Sequence, residues 1–94
     1  MRWLLLLDDG DPHGLVEALV PDGVDMRHQF QPYGVSLVRL ATDATVALHT
    51  WPEHERASLD CYGTAVERAP KVLEDLGWTA LNTLVEDGWN SSPS

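Results

Sequence analysis

Trp3 to Leu7 is an unbroken apolar run closed by Asp8-Asp9-Gly10, the pattern of a buried strand. Asp11-Pro12 then reads as a helix start, with an acid at the N-cap and a proline at the first helical position. Leu15, Val16 and Leu19 share one helical face, Gly14 keeps the helix short, and Pro21-Asp22-Gly23 ends it. Residues 25–31, 35–40, 45–51 and 56–62 read as strands. In the last of these Ala57, Leu59 and Cys61 alternate against Ser58 and Asp60. Pro32-Tyr33-Gly34 marks a turn and residues 41–44 a tight connection, so the strands are expected to form an antiparallel meander. Thr64 opens a second helix whose apolar stripe is Ala69, Val72, Leu73 and Leu76. Pro70 is expected in its first turn, because deeper it would break the helix, and Gly77 stops it. Residues 78–85 make a last strand, and 90–94 a frayed tail.

A strand, a helix, a meander, a helix and a strand predict an α+β two-layer sandwich, a mostly antiparallel sheet with helices on one face. One domain over residues 1–89 accounts for the pattern, with 90–94 outside it. The other sheet face needs a cover, and a second copy of the chain is the natural one for a domain of 94 residues. The apolar content of 44% argues against disorder. Fifteen acids against six bases give a net charge of −9, which disfavours nucleic acid and anionic membranes. Leu4 to Leu7 is too short for a signal-peptide core or a membrane span. The lone Cys61 rules out an internal disulfide and fits a reducing, cytoplasmic setting.

The candidate chemistry lies between His28 and Asp60, where the chain reads HQFQPYGVSLVRLATDATVALHTWPEHERASLD. This resembles the S-adenosylmethionine decarboxylase family, in particular its short prokaryotic single-domain form. Members show a segment like HRFxPYGVSG, then a Glu-Ser cleavage pair, IHTWPE, and an alternating strand ending in Asp and a Cys-Gly turn. PYGVS and HTWPE, spaced without a gap, carry the resemblance; the flanks agree only in the order of elements. It implies that Phe30 stacks on an adenine and that Glu53 accepts hydrogen bonds from a ribose diol, with Trp51 beside them in the substrate pocket. It also implies that Ser36 and His49 are the hydroxyl and imidazole that assist self-cleavage.

The departures from the family pattern bear on activity. Ala44 stands where the family has the serine that cleaves its own backbone, and Asp43 where a glutamate precedes it. Alanine has no hydroxyl to form the ester, so no pyruvoyl group is expected, and no other cofactor is called for. Thr64 stands where the family keeps a cysteine proton donor; Cys61 lies three positions early and reads as a small buried hydrophobe. Trp78 and Trp89 read as core or interface anchors, and His54 and Glu55 as an exposed turn. His49, Glu53 and His54 straddle a proline turn without metal-ligand spacing, so no metal site is expected. Three functions remain open. The first is a repurposed pocket doing acid/base chemistry on S-adenosylmethionine or another small metabolite, with His49 as proton carrier. The second is an unprocessed precursor of a pyruvoyl-dependent decarboxylase in which alanine replaces serine. The third is a non-catalytic binding or regulatory partner of an active paralogue. The domain is expected to associate as a homodimer, with pairing to an active paralogue in the third case.

Overall fold

The N-terminal apolar run forms strand β1 (Arg2–Leu6) of a computed structural model that describes residues 1–7, 10–29 and 34–84. Helix α1 (Pro12–Leu19) follows, then β2 (Val24–Gln29), β3 (Val35–Leu40) and β4 (Ala44–Trp51). A 3₁₀ turn at Pro52–His54 leads to β5 (Arg56–Gly63), α2 (Thr64–Asp75) and β6 (Thr79–Leu84). The strands form one sheet in the order β2-β3-β4-β5-β1-β6, antiparallel at every pairing. The expected α+β architecture is the one observed, with four strands between the two helices. Among the described residues, no helix is long and apolar enough to cross a membrane.

The period-two pattern decides which face is covered. Ala44, Val46, Leu48 and Thr50 of β4, and Ala57, Leu59 and Cys61 of β5, are buried with Trp3 and Leu5 of β1 against α1 and α2. Cys61 sits in this core, where burial pushes its thiol up to about 12. Trp78 is buried as an anchor; Trp89 and the tail lie outside the described residues. The opposite face is open and carries Leu4, Val24, Met26, Leu40, Trp51 and Tyr62 as exposed large apolar side chains.

Two expectations about the helices need correction. Pro70 is the seventh residue of α2, not in the first turn, and the helix runs through it. Its ring removes one intrahelical bond, but Ala69 and Leu73 on either side are buried, and their packing outweighs the local cost. Leu76 is not part of the apolar stripe; it sits at the C-cap, half exposed, while Ala65 takes a core position. Asp11 occupies the N-cap of α1 but makes no side-chain cap hydrogen bond, and its carboxylate lies over Gly14, where a Cβ would come within 2.7 Å of Oδ2.

The C-terminus of α1 is capped from elsewhere in the chain. Arg68 Nη1 of α2 donates to the Leu19 carbonyl at 2.8 Å, and Arg39 Nη1 of β3 donates to the Val20 carbonyl at 2.9 Å. These bonds satisfy carbonyls that the helix leaves without partners of its own. Arg39 also reaches Asp25 on β2 with both Nε and Nη2, so one buried guanidinium ties the helix end to the edge strand.

Candidate functional site

The PYGVS and HTWPE segments are held in register by their intervening core-facing residues. Thr50 is buried, and its hydroxyl accepts from the Val35 N–H at 2.9 Å while donating to the Val35 carbonyl at 3.4 Å. Gly34 has φ +98°, and a Cβ there would lie 2.8 Å from the Thr50 carbonyl, so glycine suits both the turn and the close approach. That clamp sets Ser36 opposite His49 across β3 and β4, both on the open face. Ser36 Oγ lies 2.6 Å from His49 Nδ1, within hydrogen-bond range for either donor assignment.

Trp51, next on the same face, has its ring centroid 6.4 Å from that of His49 at an interplanar angle of 36°, and its indole is half exposed. Glu53 follows on the 3₁₀ turn, exposed, as are His54 and Glu55. Phe30 lies outside the described residues. His28 on β2 and Ser58 on β5 fall in the same cross-strand row as Ser36 and His49. Sequence reasoning missed these two, although the strand register implied by the two motifs would have aligned them.

Asp43, Ala44 and Thr64, which the resemblance assigned to the degenerate cleavage and proton-donor positions, form a second group at the other end of β4. Thr64 N–H donates to the Asp43 carbonyl at 3.0 Å, and Ala41 N–H to the Ala44 carbonyl at 2.9 Å. Ala44 pairs with Gly63, whose φ of +70° and contact with the Asp43 carbonyl leave no room for a Cβ. Thr64 Oγ1 is buried without a hydrogen-bond partner among the described residues. Ala44 points to the helices and His49 to the open face. Five residues of extended strand separate them, about 17 Å. One chain therefore joins Ser36, His49 and Trp51 in one place, and Asp43, Ala44 and Thr64 in another.

A recessed space lies elsewhere. A cleft of ≈ 270 Å³ opens on the helix side of β2 and β3, lined by Asp11, Pro12, His13, Arg27, Val35 and Leu37. It is on the face opposite the Ser36–His49 pair and shares none of those residues. Among the described residues, no three His, Cys, Asp or Glu side chains lie close enough to hold a metal ion.

These features define a two-layer α+β domain with a hydroxyl–imidazole pair on its open sheet face. A family model described as S-adenosylmethionine decarboxylase matches residues 23–83, a span that contains both groups of residues. Over 51 residues the chain is 44% identical to an S-adenosylmethionine decarboxylase proenzyme 2 of Bacillus cereus, covering 52% of this chain and 40% of that protein. Over 76 residues it is 33% identical to an S-adenosylmethionine decarboxylase proenzyme of Acetivibrio thermocellus, covering 77% and 56%. A proenzyme of the same name from Aquifex aeolicus matches at 46% over 35 residues, 37% of this chain and 26% of the other. The matched segments thus span at most about half of these relatives' own length. No solved structure matches. The chain belongs to the S-adenosylmethionine decarboxylase family.

Proposed function

We propose that this chain is a family member that does not cleave itself and whose open-face site carries out acid/base chemistry without a pyruvoyl group, on S-adenosylmethionine or another small metabolite. The reading is carried by one contrast: the Ser36–His49 hydrogen bond is intact at 2.6 Å, while residue 44 has no hydroxyl with which to attack the Asp43 carbonyl. With Nδ1–H donating to Ser36 Oγ, the His49 Nε2 lone pair is free to accept a proton from a ligand. Trp51 offers an exposed ring near that imidazole, Glu53 a carboxylate for a diol, and Phe30 a purine platform. A second copy laid on the open sheet face would cover its apolar side chains and complete a homodimer.

Calorimetry with S-adenosylmethionine tests the ligand. Binding heat is expected, with the dissociation constant raised about tenfold by Glu53→Ala and by Phe30→Ala, the loss of one charged hydrogen-bond acceptor or one stacking face. Absence of heat, or indifference to both substitutions, removes the nucleoside from the reading and leaves another metabolite.

The Thr64 N–H bond to the Asp43 carbonyl favours a second reading, an unprocessed precursor. It places a donor on the oxygen that becomes anionic if residue 44 attacks. On that reading Ala44→Ser yields two bands on a denaturing gel, a fragment ending at Asp43 and one beginning at residue 44. A chain that stays intact excludes it.

A further inference from the structure

Strand β2 ends the sheet: among the described residues it pairs with β3 alone. All six of its residues are exposed, with Val24 at 70% and Met26 at 61%. Helix α1 packs mainly over β3 and β4, and toward this edge the cleft lined by His13 and Arg27 lies between the helix and β2. An edge strand of this length presents a row of unpaired N–H and C=O groups, and natural edges are normally blunted by proline, charged side chains or a bulge. The segment VDMRHQ has no proline and no bulge, its ladder to β3 is regular throughout, and the charges it carries are one acid, Asp25, and one base, Arg27.

The charges on β2 are instead self-complementary. Two copies pairing antiparallel keep helix layer beside helix layer only when residues of the same face meet, because a one-residue slip puts every side chain on the wrong side. That restricts the two-fold axis to pass beside a residue, not between two. An axis at Asp25 sets the two Asp25 carboxylates together, and an axis at Arg27 sets the two guanidinium groups together. An axis at Met26 sets Asp25 against the partner's Arg27 twice, Met26 against the partner's Met26, and Val24 against the partner's His28. Arg27 has no ion pair among the described residues. Arg39 approaches the Asp25 carboxylate from the inner strand, and the Asp25 side chain still keeps 47% exposure.

We propose that the outer edge of β2 is a homotypic interface, in which two copies of this chain join antiparallel about Met26 to make a continuous twelve-stranded sheet. The occupant is a second copy because the edge matches its own sequence in charge and in apolar contact at one register alone.

Cysteine cross-linking reads that register directly. In Met26→Cys the two Cα atoms lie directly opposite, about 4.5–5.5 Å apart, within reach of a disulfide. Val24→Cys, equally exposed, places its two thiols four residues out of step, about 14 Å apart. Cys61 is buried in the core and does not compete. Mild oxidation is expected to give a dimer band on a non-reducing gel for Met26→Cys and none for Val24→Cys. In sedimentation, Arg27→Asp is expected to raise the dissociation constant of this contact about tenfold or more, since two opposite-charge pairs become like-charge pairs. A Met26→Cys chain that stays uncross-linked, cross-linking at Val24→Cys, or association unchanged by Arg27→Asp overturns the proposal. Self-association that survives Arg27→Asp with no Met26→Cys dimer belongs to the open sheet face and supports that interface instead.

Discussion

Arg39→Ala is expected to lower stability by about 2–3 kcal/mol, the sum of a buried aliphatic stem and a helix-end carbonyl left without its donor. For a domain of this size that corresponds to a fall in Tm of about 10–20 °C, measured by circular dichroism or calorimetry. The Arg39 side chain is 7% exposed and joins three elements at once, the end of α1, the edge strand β2 and its own β3. Its pair with Asp25 adds little to the figure, because the acid is half exposed and screened. Arg39→Met keeps the stem and removes the donors, so it is expected to recover part of the loss. Arg39→Lys keeps the charge but cannot serve Asp25 and Val20 together. The Arg39 guanidinium holds the Asp25 carboxyl below its usual range, so that pair stabilises the fold above the ordinary carboxylate pKa and is lost as pH falls through the depressed value. An Arg39→Ala chain that melts with the native one would remove the clasp as a source of stability.

Nothing in the local sequence marks Arg39 as buried. It alternates with Val38 and Leu40 in a strand where a polar residue reads as outward-facing, yet Leu37 and Arg39 face the helices, and Ser36 and Val38 face out. The signal lay in two distant places, the acid at Asp25 and a helix ending at Val20 without a basic residue in its last turn. The meander itself was legible because period-two alternation in β4 and β5 is nearly complete, and the observed bounds differ from the expected ones by about one residue. Pro70 was misjudged because a rule about isolated helices was applied where core packing at Ala69 and Leu73 decides.

The site was legible in part. PYGVS and HTWPE lie close in sequence, and the tight connection at residues 41–43 makes adjacent antiparallel partners of the strands that carry them, so the Ser36–His49 contact follows from register. The same strand geometry was not carried through to Ala44. An even separation along a strand keeps two side chains on one face and an odd separation divides them. Residues 44 and 49 are five apart, which sets Ala44 on the helix side and the imidazole on the open side. The family motif names both positions without saying that a single chain keeps them apart. The chemistry proposed for His49 therefore has to be performed where Ser36, Trp51 and Glu53 are, and not at residue 44.

On that basis His49→Ala is expected to lower turnover of the ligand by about 10²–10⁴-fold, the range for removal of a positioned general acid/base. The fold is expected to persist, because His49 projects from the open face and the core side of β4 is unchanged. His49→Gln separates the two parts of the role. An amide can still bond to Ser36 Oγ and preserve the site, but it cannot carry a proton, so binding is expected to remain and turnover to stay as low as in His49→Ala. Ser36→Ala removes only the group that orients the imidazole, and a loss of about tenfold is expected, smaller than that of the histidine itself. The measurement is conversion of S-adenosylmethionine followed by mass spectrometry, beside calorimetric affinity for each variant. Turnover retained in His49→Gln would exclude the imidazole as proton carrier, since the one property that glutamine lacks is the one the mechanism needs. Binding without conversion in the native chain would remove the acid/base step altogether and leave a ligand-binding member of the family, with Trp51 and Glu53 serving recognition alone.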